Sequence, residues 1–222
     1  MGETVHFVSN GGTTDGYLAR PEKAAAPGVI VIQEWWGLNA HIKKVADRFA
    51  REGFLALAPD LYHGRVTRSP DEAGKLMMAL DIARAEKDLR GSVAHLKTLS
   101  GKPVGTVGFC MGGTLSLFAA SANGADVGAC VLYYGGHLAV KSDYDGLKAP
   151  VLGHWAEHDD WANANKPVIE RELQQRGKPC VFHSYPGTKH AFFNDERKDV
   201  YDRDAAELSF TRTLAFFRAH LA

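Results

Sequence analysis

The sequence predicts an α/β fold: a mostly parallel sheet with helices on both faces. Three observations carry that expectation. Short apolar runs such as Val29 to Gln33, Phe54 to Ala58 and Val127 to Tyr134 lack polar alternation, as strands buried on both faces do. Helical patterns separate these runs, which forces crossovers and so a parallel sheet. One junction, Val104 to Gly113, passes from apolar strand to helix through a glycine-rich turn.

The elements follow in order. Val5 to Val8 and Tyr17 to Ala19 form an opening hairpin around Gly11-Gly12. After the Val29 strand, Asn39 caps a helix with Ile42, Val45, Ala46 and Phe49 on one side, stopped at Gly53. The Phe54 strand ends at Pro59, and a polar loop runs from Asp60 to Pro70. Asp71 to Leu99 is helical, with a break near Asp81. Val104 to Gly108 leads into a helix over Thr114 to Ala122. Strands follow at Val127 to Tyr134, Pro150 to His154 and Cys180 to Tyr185, with a helix from Lys166 to Arg176 stopped by Gly177. Ala205 to Leu221 closes the chain as a helix. No repeat, low-complexity tract or linker interrupts the pattern, so residues 1–222 are expected to form one domain.

Composition excludes several classes of partner. Among 222 residues there are 26 Lys and Arg against 26 Asp and Glu. A formal net charge of zero gives no electrostatic basis for binding nucleic acid or an anionic membrane. The opening Met-Gly-Glu-Thr-Val-His-Phe lacks the basic and apolar regions of a signal peptide, and His6 breaks the myristoylation pattern. No apolar run approaches the ~20 residues of a membrane span. Three cysteines, Cys110, Cys130 and Cys180, without C-x-x-C, point to free thiols in a reducing, cytoplasmic setting. A monomer or small homo-oligomer is expected.

The chemistry concentrates at strand ends. Gly108-Phe109-Cys110-Met111-Gly112 is a G-x-S-x-G turn with cysteine in the serine position. Glycines two residues either side allow a side chain to be thrust up between strand and helix. The Met111 N–H at the helix start can donate to a developing oxyanion, and the same helix end favours a thiolate at Cys110. A loop after His154 carries Glu157-His158-Asp159-Asp160, and a later one carries Gly187-Thr-Lys-His190. The order Cys, Asp, His is that of a nucleophile, an orienting acid and a base in α/β-hydrolases. Cys110, Asp159 and His190 are therefore the candidate triad. The competing readings are an inert buried cysteine, an N-cap at Asp159 (with Asp160 or Asn163 as other caps), and a solvated loop histidine at His190. Trp35, Trp36, Phe192 and Phe193 suit an apolar pocket wall or ordinary core equally.

These segments, together with Val31-Ile-Gln-Glu-Trp-Trp-Gly37, Ala58-Pro-Asp-Leu-Tyr62 and Gly187-Thr-Lys-His-Ala-Phe192, resemble the dienelactone hydrolase family of α/β-hydrolases from about residue 15 onward. The resemblance implies an α/β-hydrolase fold and a cofactor-free hydrolase of carboxylic esters or lactones, acting through an acyl-enzyme on Cys110 with Asp159 and His190. It implies an oxyanion hole from the N–H groups of Met111 and Trp35. It also implies that Glu34 hydrogen-bonds the resting cysteine and swings away when substrate binds. A carboxylate beside a thiol penalises the thiolate by like-charge repulsion. The other reading of Glu34 is a loop acid that is solvated or paired with an arginine.

The chain departs from the family where two arginines would hold a substrate carboxylate. Those positions carry Asn194 and Pro70, with Arg65, Arg68 and Arg197 nearby in sequence. Trp36, Phe192 and Asn194 are accordingly placed in the substrate pocket. The run His154-Trp-Ala-Glu157-His158 matches an H-x-x-E-H zinc pattern, but that motif needs a helix and the preceding residues read as a strand, so no metal is expected. His63, His95, His137, His183 and His220 are scattered along the chain and form no ligand set. The alternative to a hydrolase is a non-catalytic binding or redox-sensing protein on the same fold, with Cys110 as its responsive thiol.

Overall fold

The computed structural model describes residues 2–9, 11–23, 25–136 and 140–221, so His137 lies outside the described residues. The hairpin expected at the start is present as β1 (Glu3–Ser9) and β2 (Gly12–Ala19), paired antiparallel. Then come β3 (Gly28–Ile32), α1 (Ala40–Arg51), β4 (Leu55–Pro59), α2 (Pro70–Met78), α3 (Ile82–Ser100), β5 (Val104–Phe109) and α4 (Met111–Asn123). The chain continues through β6 (Val127–Tyr133), β7 (Val151–His158), α5 (Asp160–Asn163), α6 (Lys166–Gln175), β8 (Cys180–Lys189) and α7 (Arg203–His220).

Among the described residues the eight strands form one sheet in the order β1-β2-β4-β3-β5-β6-β7-β8. β2 pairs antiparallel with β4, and every pairing from β4 through β8 is parallel. The central strands β3, β4 and β5 are buried along their whole length, as the unalternating apolar runs require.

Side-chain size records which helix covers which face. At Gly105 a Cβ would strike Phe217 and Leu221 at the α7 end, whereas at Gly28 it would strike Leu96 of α3. Gly105 is in register with Val29, the neighbour of Gly28, so α7 and α3 lie on opposite faces. On the α7 face, Phe49 of α1 packs against Phe54, Phe210 and Phe217. α4 packs beside α3 on the other.

Caps explain the helix boundaries. Asn39 accepts from the Ile42 N–H at 3.1 Å. Asp81 caps α3 through the Arg84 N–H at 3.1 Å, which is the expected break in the 71–99 stretch. β7 and β8 run beyond the expected ends, His158 still pairing with Lys189, and the helix that Asp159 caps is the four-residue α5, ahead of the expected helix at Lys166.

Candidate active site

The strand-to-helix junction at Cys110 is backbone-strained. Cys110 sits at φ 56° and ψ −119°, a region that side chains rarely adopt. Its flanking glycines cannot be replaced without movement. A Cβ on Gly108 would lie 1.8 Å from the Gly112 carbonyl oxygen, and one on Gly112 would lie 2.4 Å from the carbonyl oxygens of Ile32 and Gln33. The Cys110 N–H donates to the Tyr133 carbonyl at 3.1 Å, which ties the turn to the end of β6. Met111 is the first residue of α4, so its N–H has no acceptor within the helix.

A cavity of about 350 Å³ opens above this junction. Glu34, Cys110, Asp159 and His190 all line it, although they come from four separate strand ends. The His190 Nδ1 meets Asp159 Oδ2 at 2.6 Å, leaving Nε2 for Cys110. Asp159 Oδ1 accepts from the Ala162 N–H at 3.1 Å and caps α5. The helix-cap and histidine-partner readings of Asp159 are thus both fulfilled, one oxygen each. Burial opposes a charged ring at His190, but its hydrogen bonds to Asp159 and Cys110 and the charges of both groups outweigh that, holding it up at about 10.

The remaining wall is apolar. It consists of Trp35, Trp36, Met77, Trp161 and Ala191, with Arg197 as the cationic member. Trp35 and Trp36 meet edge to face, 4.9 Å between centroids. Tyr134 stacks edge-on against His190 at 5.0 Å, fully buried, its hydroxyl without a hydrogen-bond partner among the described residues. The Tyr62 hydroxyl donates to the Met111 sulfur at 3.3 Å.

Two expected pocket residues lie elsewhere. Phe192 is wholly buried, packed on Tyr134 and Tyr185, because its ring points into the core beneath the cavity. Asn194 is also buried and lines a neighbouring cleft. Its Nδ2 donates to Glu34 Oε2 at 2.7 Å, so its polar group faces inward to the acid. Met77 and Trp161 were missed in the sequence: α5 is too short to carry a periodic signal, and Met77 is a neighbour of the apolar stripe of α2, not part of it.

The arginines separate in space. Arg197 reaches the cavity but spends its guanidinium on Asp199, at 2.9 and 2.6 Å. Arg68 lines the neighbouring cleft, and Arg65 borders a different one. His154 of the zinc-like run is fully buried with both nitrogens committed, Nδ1 to the Tyr185 hydroxyl at 2.8 Å and Nε2 to Thr213 at 3.0 Å. Glu157 and His158 stand at the exposed end of β7. Among the described residues no group of three or more His, Cys, Asp or Glu side chains is placed to hold a metal ion. Nor is any described helix long and apolar enough to cross a membrane.

Eight strands in this order, with the cysteine on a strained turn before α4 and the acid and histidine at later strand ends, define an α/β-hydrolase fold. The dienelactone hydrolase family model matches residues 14–221, and the chain belongs to that family, as a hydrolase acting on ester or lactone bonds. It is 41% identical to Protein usf of Aquifex pyrophilus over the full length of both chains. It is 29% identical to the carboxymethylenebutenolidase of Pseudomonas putida, covering 96% of this chain and 95% of that one. The solved dienelactone hydrolase-like promiscuous phosphotriesterase P91, from metagenomic libraries, superimposes with a TM-score of 0.90 over 100% of this chain and 99% of its own. At 23% identity that likeness concerns the fold alone.

Proposed function

We propose that this protein hydrolyses neutral carboxylic esters or lactones through a Cys110 acyl-enzyme. The observation that carries the reading is the 2.6 Å contact of His190 with Asp159 in the cavity that also exposes Cys110. The Cys110 thiolate attacks the carbonyl carbon, and the developing oxyanion takes hydrogen bonds from the Met111 and Trp35 N–H groups. The charged His190 then gives its proton to the leaving alkoxide, producing an alcohol and a thioester. Neutral His190 takes a proton from water, hydroxide adds to the thioester, and collapse releases the acid and restores the thiolate–imidazolium pair. Asp159 keeps the ring in the required tautomer throughout.

Substrate charge follows from the wall. Five of its members are apolar, the family's clamp positions carry Asn194 and Pro70 in place of arginines, and Arg197 is paired with Asp199. A small apolar acyl group or lactone ring fits that lining, and no cofactor takes part in the sequence of steps.

The test is hydrolysis of a chromogenic short-chain ester by wild type and Cys110→Ala. Wild type is expected to show a burst of alcohol equal to the enzyme concentration, abolished by alkylation. Cys110→Ala is expected to lose at least ~10³-fold in kcat while still folding. Turnover retained by Cys110→Ala and lost in Cys130→Ala or Cys180→Ala would overturn the assignment.

A further inference from the structure

The two N–H groups assigned to the oxyanion are held in different ways. That of Met111 is fixed by the first turn of α4. That of Trp35 belongs to a turn between β3 and α1, and among the described residues it has no backbone acceptor. Its aim must come from the peptide groups around it.

Two hydrogen bonds supply that aim. These peptides are trans, so N–H and C=O point in opposite directions and fixing one end aims the other. The peptide group that ends in the Trp35 N–H begins with the Glu34 carbonyl, which accepts from the Gly37 N–H at 3.4 Å. The Gly37 N–H shares its own peptide group with the Trp36 carbonyl, which accepts from the Thr67 N–H at 3.1 Å. Thr67, Gly37 and Trp35 are thus three donors in series, joined through two peptide planes. Each bond polarises the next, and the series ends on the N–H left for the oxyanion. The middle bond is long, so its alignment depends on the plane that Thr67 holds. Only the backbone of Glu34 takes part.

Thr67 is itself anchored. Gly37, at φ 91°, lies so close to the preceding segment that a Cβ on it would fall 2.3 Å from the Arg65 carbonyl oxygen. Thr67 Oγ1 donates to Glu72 Oε2 at 3.0 Å and accepts from the Ser69 N–H at 3.1 Å. Ser69 caps α2, the helix that brings Met77 to the cavity. One residue therefore ties α2 by its side chain and the turn after β3 by its backbone.

We propose that Thr67 is a positioning residue that aims the Trp35 N–H at the developing oxyanion through the Trp36 and Glu34 carbonyls. This rests on the Cys110 acyl-enzyme and on Trp35 as an oxyanion donor, as proposed above.

The experiment sets ester kinetics beside iodoacetamide alkylation of Cys110, both on the intact protein. Alkylation displaces iodide at a saturated carbon and builds no oxyanion, so it reports the thiol and His190 without the hole. Thr67→Pro has no N–H to give Trp36. Thr67→Val keeps the N–H but loses the hydroxyl's two bonds, and Thr67→Ser keeps both. Thr67→Pro is expected to lose about tenfold or more in kcat, and as much in kcat/KM, because the missing interaction is made only in the transition state. Thr67→Val is expected to lose about threefold to tenfold in the same way, and Thr67→Ser to recover. Alkylation of all three is expected to stay within about twofold of wild type, which general damage to the site would not allow. Alkylation that falls in step with kcat overturns the proposal, and so does a kcat near the wild-type value in both Thr67→Pro and Thr67→Val. If Thr67→Pro does not fold, the Val and Ser variants decide alone. Turnover surviving in Cys110→Ala would overturn the hydrolytic reading and this proposal with it, whereas normal kinetics in the Thr67 variants beside an inactive Cys110→Ala overturn the proposal alone.

Discussion

Asp159 divides its carboxylate between two tasks, and substitution separates them. Asn in its place keeps an oxygen for the Ala162 N–H but turns an NH2 toward His190 Nδ1. The ring is then held in the wrong tautomer, and kcat is expected to fall by about 10²–10⁴ with α5 intact by circular dichroism. His190 carries a second consequence. Its folded-state value of about 10 lies above the ordinary 6.5, so its charged form stabilises the fold. That stabilisation is whole below about pH 6.5 and disappears as pH rises through about 10. The melting-temperature gap between wild type and His190→Gln is therefore expected to narrow over that interval, and a constant gap would refute the assignment. The three residues of the candidate triad were legible because each strand end carries its polar group in the chain order an acyl-transfer site uses. The Asn194–Glu34 bond was not. It joins positions 160 residues apart, and at the level of sequence Asn194 is only a missing arginine.

Among the elements, the β5–α4 junction is the least tolerant. Gly112→Ala pushes a methyl into the carbonyls of Ile32, the last residue of β3, and Gln33, just before Glu34 and Trp35. A loss of about 1–3 kcal/mol in urea unfolding is expected, with a fall in turnover larger than the loss of folded protein. β7 and β8 are joined from below by the His154–Tyr185 bond, and α7 adds Thr213. Burial, then the neighbouring His183 and Arg212, hold His154 well below its ordinary value. The unfolded chain takes up a proton there below about pH 6.5 and the native one does not, so stability falls as pH drops through that point. His154→Gln, which keeps a donor and an acceptor, is expected to flatten the slope of unfolding free energy by up to ~1.4 kcal/mol per pH unit. The order of elements was readable from apolar runs and caps, since burial on both faces leaves no alternation to confuse. Strand ends were not, because Glu157 and His158 continue a ladder with β8 that only pairing reveals.

For the whole molecule, equal numbers of acidic and basic residues mean no long-range field that gathers charged substrates. kcat/KM for a neutral ester is expected to change less than about twofold between low and high salt. A carboxylated dienelactone is expected to be turned over no faster than a neutral lactone of the same size. A strong preference for the acid, erased by Arg68→Ala or Arg197→Ala, would show a relocated clamp at the cleft beside the cavity.

Trp161 also shapes what the cavity can accept. A Cβ on Gly136 would fall 2.0 Å from its ring, so the indole is seated on a residue that admits nothing larger. The ring stands edge-on to His190, two residues past its hydrogen-bond partner Asp159, yet supplies none of the hydrogen bonds given for the histidine. A mutational path to bulkier acyl groups is therefore open at one position. On the proposed mechanism, trimming the indole is expected to clear space in the cavity beside Cys110 while leaving the His190–Asp159 bond in place, so substrate range can drift without the chemistry having to be rebuilt.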